Sequence, residues 1–290
     1  MSTHDYKIYP PSYSSIIRRC SSSQSESTDL YSDAASDATT IVSIDESSQS
    51  QFCPGRSFQI DARGIGLFRF PIPMPVPDFQ MEIPIFDHTN NDRIAYVSRR
   101  SRLHSGDAVL SDTRTEAELV ETKYFFGPGR DPILHVYSSL NEDCLSSASK
   151  YTVPIIAKWT SRTIKFTVPR HDKHPESEFE WSYGKRRDTE TGNRTNLIVL
   201  RHQTLAPGED DETNHGNGKG KIIAEFGRSK ETRTAGSTCS TAGNGGLLII
   251  DRVADEYLDE AVVVATCLVM LKREIDRRRM SRMAFVSFIL

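Results

Sequence analysis

Ala261-Val262-Val263-Val264-Ala265-Thr266-Cys267-Leu268-Val269-Met270-Leu271 is the stretch whose reading decides the fold. Acids precede it (Asp255, Glu256, Asp259, Glu260) and bases follow it (Lys272, Arg273, Arg277, Arg278, Arg279). That order of charge complements a helix dipole, and it predicts one helix from Asp255 to about Arg279. A surface helix shows a one-sided apolar stripe. This one has no polar face along its middle, so it must be enclosed. The apolar run spans about 16 Å, well short of the roughly 20 residues that cross a bilayer.

What encloses it is read from the residues before it. Short alternating or β-branched runs recur between turn residues: Phe58–Ile60, Ile65–Phe70, Phe79–Phe86, Ile94–Val97, Ala108–Leu110, Ala117–Phe126 and Ile133–Tyr137. They continue with Ile155–Trp159, Thr163–Val168, Phe179–Tyr183, Leu197–Leu200, Ile222–Phe226 and Leu247–Ile250. Strands at this spacing, with no helical pattern between them, point to an antiparallel barrel or sandwich and exclude a βαβ layout. Threading the helix through a closed sheet is the economical solution. The expected fold is therefore mainly β, a closed antiparallel barrel of about twelve strands around one buried C-terminal α-helix. Two polar, glycine-rich inserts, His202–Gly220 and Arg228–Gly246, contain no aromatic anchor and read as disordered.

The chain divides in three. In residues 1–54, serine supplies 15 positions and acids outnumber bases seven to three. Such a segment buries too little apolar surface to offset its ordering entropy, so a disordered arm is expected. Residues 55–280 form the barrel with its helix. The last residues, 281–290, hold the apolar run Met283-Ala284-Phe285-Val286-Ser287-Phe288-Ile289-Leu290, which packs under the barrel or lies on a membrane surface.

Many antiparallel strands followed by one fully apolar terminal helix resemble the tubby C-terminal-like superfamily, which includes the LURP-one-related proteins and the phospholipid scramblases. Local wording is also similar to a group of fungal proteins expected to share this fold. The similar phrases are Phe86-Asp87 opening a hairpin into Ile94-Ala95-Tyr96, and the turn Phe125-Phe126-Gly127-Pro128-Gly129-Arg130-Asp131-Pro132-Ile133-Leu134. The resemblance covers about residues 57–280. It implies a barrel wrapped around its C-terminal helix. Tubby proteins bind phosphoinositides through basic residues on the barrel, but no motif here carries those residues over one by one.

Pro10-Pro11-Ser12-Tyr13 has the Pro-Pro-x-Tyr form that WW domains bind. Pro10 and Pro11 pre-set an extended left-handed helix, which lowers the entropy cost of docking, and Tyr13 fills a second pocket. A WW-domain ubiquitin ligase is the partner this implies. Ser21 follows Arg18-Arg19-Cys20 as a basic-directed kinase requires, while Ser23 and Ser43 each have an acid three residues on. Phosphate at these serines adds close to two negative charges. Pro71-Ile72-Pro73-Met74-Pro75-Val76-Pro77 reads as a stiff connector. Two basic clusters at strand ends, Arg99-Arg100-Ser101-Arg102 and Lys185-Arg186-Arg187, are the candidate contacts to a phosphoinositide or an anionic membrane, at about 1 kcal/mol per charge.

Balanced charge, −3 overall, argues against a nucleic-acid partner. Cys20, Cys53, Cys144, Cys239 and Cys267 form no C-x-x-C pair, and His171-Asp172-Lys173-His174 reads as a solvated loop, so no metal site is expected. Glycine-rich Gly216-Asn217-Gly218-Lys219-Gly220 lacks the flanking strand and helix of a phosphate cradle, and no Gly-x-Ser-x-Gly or His-Glu-x-x-His occurs. No cofactor and no catalysis are expected. The start of the sequence has no apolar leader run, so the sequon at Asn193 reads as unused and the expected location is cytoplasmic, with peripheral membrane contact as an option. The leading expectation is a non-enzymatic binding or adaptor module. The alternative is a membrane-lipid protein, phosphoinositide-binding or scramblase-like.

Overall fold

The computed structural model describes residues 42–43, 52–64, 81–90, 92–101, 105–125, 130–137, 149–158, 161–169, 176–187, 194–203, 220–229, 231–238 and 241–287. Its strands are β1 (Val42–Ser43), β2 (Pro54–Ile60), β3 (Glu82–Asp87), β4 (Arg93–Arg100), β5 (Ala108–Asp112), β6 (Glu118–Lys123) and β7 (Ile133–Tyr137). They continue with β8 (Ser149–Ile156), β9 (Ile164–Val168), β10 (Ser177–Arg187), β11 (Arg194–Gln203), β12 (Lys221–Gly227) and β13 (Gly246–Asp251), followed by the helix α1 (Glu260–Ser287). Twelve of the thirteen runs picked from the sequence overlap these strands; Ile65–Phe70 lies outside the described residues.

β2 to β13 pair in chain order, each antiparallel to the next, and β13 returns to β2. The sheet therefore closes into a twelve-stranded up-and-down barrel, which leaves no strand edge within the ring. Its inward residues, among them Phe58, Ile60, Ile85, Leu134, Ile155, Trp181 and Leu200, are almost fully buried. They form one core with Val262, Val263, Val264 and Cys267 of α1. Enclosure on all sides is what the missing polar face demanded. The hydroxyl within the apolar run is also provided for: Thr266 donates to the Val262 carbonyl at 2.8 Å and accepts from Trp181 Nε1 at 2.9 Å. Thr266 and Trp181 thus keep partners in a region where leaving one unmade is costly.

The helix bounds differ from expectation at both ends. Ala254–Glu256 is a 3₁₀ turn, and the carbonyl of Asp259 accepts from Val262 N and Val263 N, so α1 starts at Glu260. At the other end it continues to Ser287, taking in most of the expected apolar tail. Lys272, Arg273 and Arg277–Arg279 therefore lie in mid-helix and do not cap it. Leu268 is partly buried where full burial was expected, because it faces a small cavity beside Gly106 and Ala108.

Within the arm the structure describes Val42–Ser43, which form β1 parallel to β10 with Val42 opposite Gly184 and Ser43 opposite Lys185, and residues 52–54, the last of which opens β2. The rest of the arm lies outside the described residues. One further correction concerns the insert 228–246, expected to be disordered, which folds back on the barrel. Gln59 Nε2 donates to the Thr232 carbonyl at 2.7 Å, Gly245 N to the Ala62 carbonyl at 2.7 Å, and Thr232, Thr234 and Asn244 are buried. Polar and glycine-rich composition was misleading here because the insert is held by partners far away in the chain, Gln59, Ala62 and Glu274, which composition does not record.

Candidate functional site

In an up-and-down barrel, alternate strands end at the same mouth. β4, β6, β8, β10 and β12 all run toward the mouth through which the C-terminal half of α1 leaves. Arg100 at the end of β4 faces Asp276, Tyr183 near the end of β10 reaches Glu274, and Arg228 just after β12 pairs with Glu274. Lys158, following β8, accepts a hydrogen bond on its carbonyl from Arg273 at 2.9 Å. The described residues of the expected basic clusters, Arg99, Arg100 and 185–187, therefore end at one rim, together with the basic turns of α1.

Within the mouth, α1 changes from apolar to charged while still enclosed. Lys272, Glu274 and Asp276 are 7 %, 7 % and 2 % exposed. Ionised groups so deep require compensation, and each has it. Arg228 forks onto Glu274 with contacts of 2.6 and 2.7 Å, Tyr183 donates its hydroxyl to the same carboxylate, and Gly243 N donates at 3.1 Å. Burial raises the Glu274 carboxyl, but Arg228 foremost, then Tyr183 and Gly243, hold it below its ordinary range. Lys272 Nζ binds both oxygens of Asp276 at 2.7 and 2.8 Å and sits 4.9 Å from the Tyr124 ring centre. Burial carries the Lys272 ammonium below its usual value even so, with Asp276 opposing.

Gly243 makes the Glu274 contact possible. Its φ is +75°, and a Cβ there would lie 2.4 Å from Ile275 Cγ1. Only glycine brings the backbone this close in that conformation.

Among the described residues, cations outnumber anions at this mouth. Arg100, Arg162, Arg273, Arg277 and Arg279 gather around the two carboxylates that Arg228 and Lys272 already engage. Arg162 lies over the Tyr183 ring at 5.9 Å, and burial lowers the Arg100 and Arg273 guanidinium values. A cavity of about 20 Å³, lined by Tyr124, Ser161, Arg162, Tyr183, Arg273 and Arg277 among others, has room for about one water molecule. On the same rim, Phe125 after β6 is 47 % exposed and Ile156 at the end of β8 is 55 % exposed. The arrangement presents positive charge and exposed apolar side chains together on one surface. Cys267, deep in the core, has its thiol pushed up by burial, which disfavours the thiolate.

Acidic groups at the opposite mouth are paired. Arg56 bridges Asp87 at 2.7 Å and Glu260 at 2.7 Å, Tyr96 donates to Glu260, and Tyr151 OH donates to Asp259 at 2.9 Å.

The expected contact residues separate on inspection. Arg99 points outward, 62 % exposed, with Nε 3.0 Å from Glu82. Arg100, next along the strand, points into the mouth and is a half-buried partner of α1 instead of a free surface contact. Lys185 is half-buried, while Arg186 and Arg187 extend β10 opposite Thr195 and Arg194. Arg102, Pro10, Pro11, Tyr13, Ser21 and Ser23 lie outside the described residues; Ser43 lies in β1. Sequence reading missed Arg162, Arg228, Arg273 and Glu274 as a group. The signal available was the lysine–acid–arginine spacing after Leu271, which was read as a capping pattern.

No group of histidine, cysteine and carboxylate suited to a metal occurs among the described residues, and no helix among them is long and apolar enough to cross a membrane. Set against protein-family models, curated proteins and solved structures, the chain matches none.

Proposed function

We propose that this protein is a non-enzymatic, tubby-like barrel that acts as a binding module, docking through its basic mouth on an anionic phospholipid surface. One observation carries the reading: basic strand ends, the arginines of α1, and the exposed Phe125 and Ile156 converge on one rim. Positive charge brings such a rim to anionic headgroups at about 1 kcal/mol per residue, and apolar side chains then add burial in the interface. The filled interior supports binding over catalysis, since α1 occupies the space a substrate would need.

The reading also includes the arm. Pro10, Pro11 and Tyr13 equip the protein to bring a WW-domain ubiquitin ligase to the docked barrel, which gives the adaptor role. Vesicle flotation with the full chain tests the docking. Binding to vesicles containing phosphatidylserine or phosphoinositide, lost in added salt and absent with neutral lipid, is the expected result. Absence of binding at low salt overturns it.

A further inference from the structure

Apart from β10, the described strands that end at the basic mouth all meet α1 at one level. Arg228 after β12 binds Glu274, Lys158 after β8 accepts from Arg273, and Arg100 of β4 and Tyr124 after β6 face Asp276. β10 runs further: Tyr183 reaches Glu274, and the strand continues to Arg187. At a strand tilt of about 40°, this extension rises about 10 Å along the barrel axis. The helix rises further still. From Glu274 to Ser287 it climbs about 20 Å, at about 1.5 Å per residue. Its end therefore stands about 10 Å beyond the tallest described strand.

Helical turns outside a core are marginal in water, because most helical stability comes from packing. The projecting turns are ordered by chemistry along the axis. Arg277, Arg278, Arg279 and Arg282 come first, and Met283-Ala284-Phe285-Val286-Ser287 follow without a charge. The arginine turns, Arg277–Arg282, rise about 8 Å, close to the roughly 5–7 Å depth of one headgroup layer. Met283–Ser287 rises about 6 Å, within the roughly 5–10 Å to which interfacial helices bury apolar residues.

We propose that the projecting end of α1, Met283–Ser287, enters the acyl boundary of an anionic bilayer, with Arg277–Arg282 as a collar among the phosphates. This placement rests on the basic mouth being the docking face, as proposed above, and adds an orientation to it: the barrel axis stands upright on the membrane. The order of charge selects the occupant. A bilayer offers phosphates outside and hydrocarbon inside, the same sequence that α1 presents from Arg277 to Ser287. Phe125 and Ile156, exposed on the rim at the base of the projection, face the same surface. The end does not cross, since Met283–Ser287 is far shorter than the roughly 20 residues a span requires. It is a shallow, reversible anchor.

The test uses the full chain carrying Phe285→Trp, with the parent as reference for the two native tryptophans. The probe is a vesicle of phosphatidylcholine and phosphatidylserine, the phosphatidylcholine brominated near either the glycerol end or the methyl end of its chains. On binding, the new tryptophan should shift to the blue and be quenched most by bromines near the glycerol end. A protein that floats without this quenching overturns the proposal and leaves the docking surface standing. A parent that does not float at low salt overturns both. A second variant separates lipid from protein partners. Phe285→Asp should weaken flotation by about tenfold, with the melting temperature unchanged. Equal flotation overturns the proposal. So does a lowered melting temperature, which would place the helix end against the barrel, or a parent dimer lost in Phe285→Asp, which would place it against a second copy.

Discussion

Arg228 and Glu274 meet through two hydrogen bonds, 2.6 and 2.7 Å long, at the point where α1 passes from the apolar core into the basic mouth. The pair joins the insert after β12 to the helix, 46 residues apart. It fixes both the depth of α1 and the fold of a segment that composition alone marks as loose.

Removing one partner is the informative perturbation. Glu274→Gln leaves the Arg228 guanidinium buried without its counter-charge, and the expected loss of stability is about 3–5 kcal/mol. Replacing both, as in Arg228→Met with Glu274→Leu, should cost much less. Chemical denaturation of the three proteins measures this; a single variant within 1 kcal/mol of the parent would contradict the account.

The same pair sets a pH dependence. Arg228 holds the Glu274 carboxyl below its unfolded value, so its stabilising contribution is complete above the unfolded carboxylate range near ~4.3. The contribution disappears as pH falls through the lower, folded value. The stability gap between the parent and Glu274→Gln should therefore be constant near neutrality and narrow below about pH 4. A gap that widens on acidification would show the sign to be wrong.

Burial and exposure separate two apolar-to-acid substitutions. Val264 is 0 % exposed inside the barrel, and Val264→Asp should prevent folding by burying an unpaired charge. Ile156, 55 % exposed on the basic rim, should tolerate Asp within about 0.5 kcal/mol. Ile156→Asp should nonetheless weaken vesicle binding, as should Phe125→Asp. Thermal melts and flotation run side by side distinguish a stable non-binder from a misfolded protein.

Two glycines with the same backbone sign make a further contrast. Gly243 at φ +75° has no room for a Cβ, whereas Gly236 at φ +78° has nothing within 4 Å. Gly236→Ala should cost about 1 kcal/mol from conformation alone. Gly243→Ala adds a clash with Ile275 and loosens the Gly243–Glu274 contact, so its cost should be at least twice as large. Similar melting temperatures would mean that the insert rearranges freely.

Particular residues show how far the sequence was legible. The run from Val262 to Leu271 has one physical solution, enclosure, and twelve strand runs supplied the material for it. Arg100 shows where reading fails. β4 turns Tyr96, Ser98 and Arg100 inward and leaves Ile94 41 % exposed, the reverse of the usual alternation. Ile94 turns outward through the register shift that skips Ala95, while Ser98 and Arg100 face the charged turns of α1. Such an arrangement depends on partners far away in the chain, and periodicity within a strand does not encode it. Glu274 and Arg228 were hidden for the same reason.

The last prediction joins the arm to the rim. If Pro10, Pro11 and Tyr13 form a working ligand, the full chain should bind a WW domain from a ubiquitin ligase at micromolar to tens of micromolar strength, on the order expected for a short extended segment. Tyr13→Ala should remove most of that affinity by emptying the aromatic pocket, and Pro11→Ala should weaken it by loosening the pre-set backbone. Ser12→Ala should matter little, since the motif leaves that position free. With anionic vesicles present, the WW domain should float with the parent protein and remain behind with Tyr13→Ala, while the barrel itself floats in both cases. Equal recruitment by the two proteins would mark the four residues as a chance match. Loss of barrel flotation in Tyr13→Ala would show instead that the arm contributes to docking, which the rim geometry does not require.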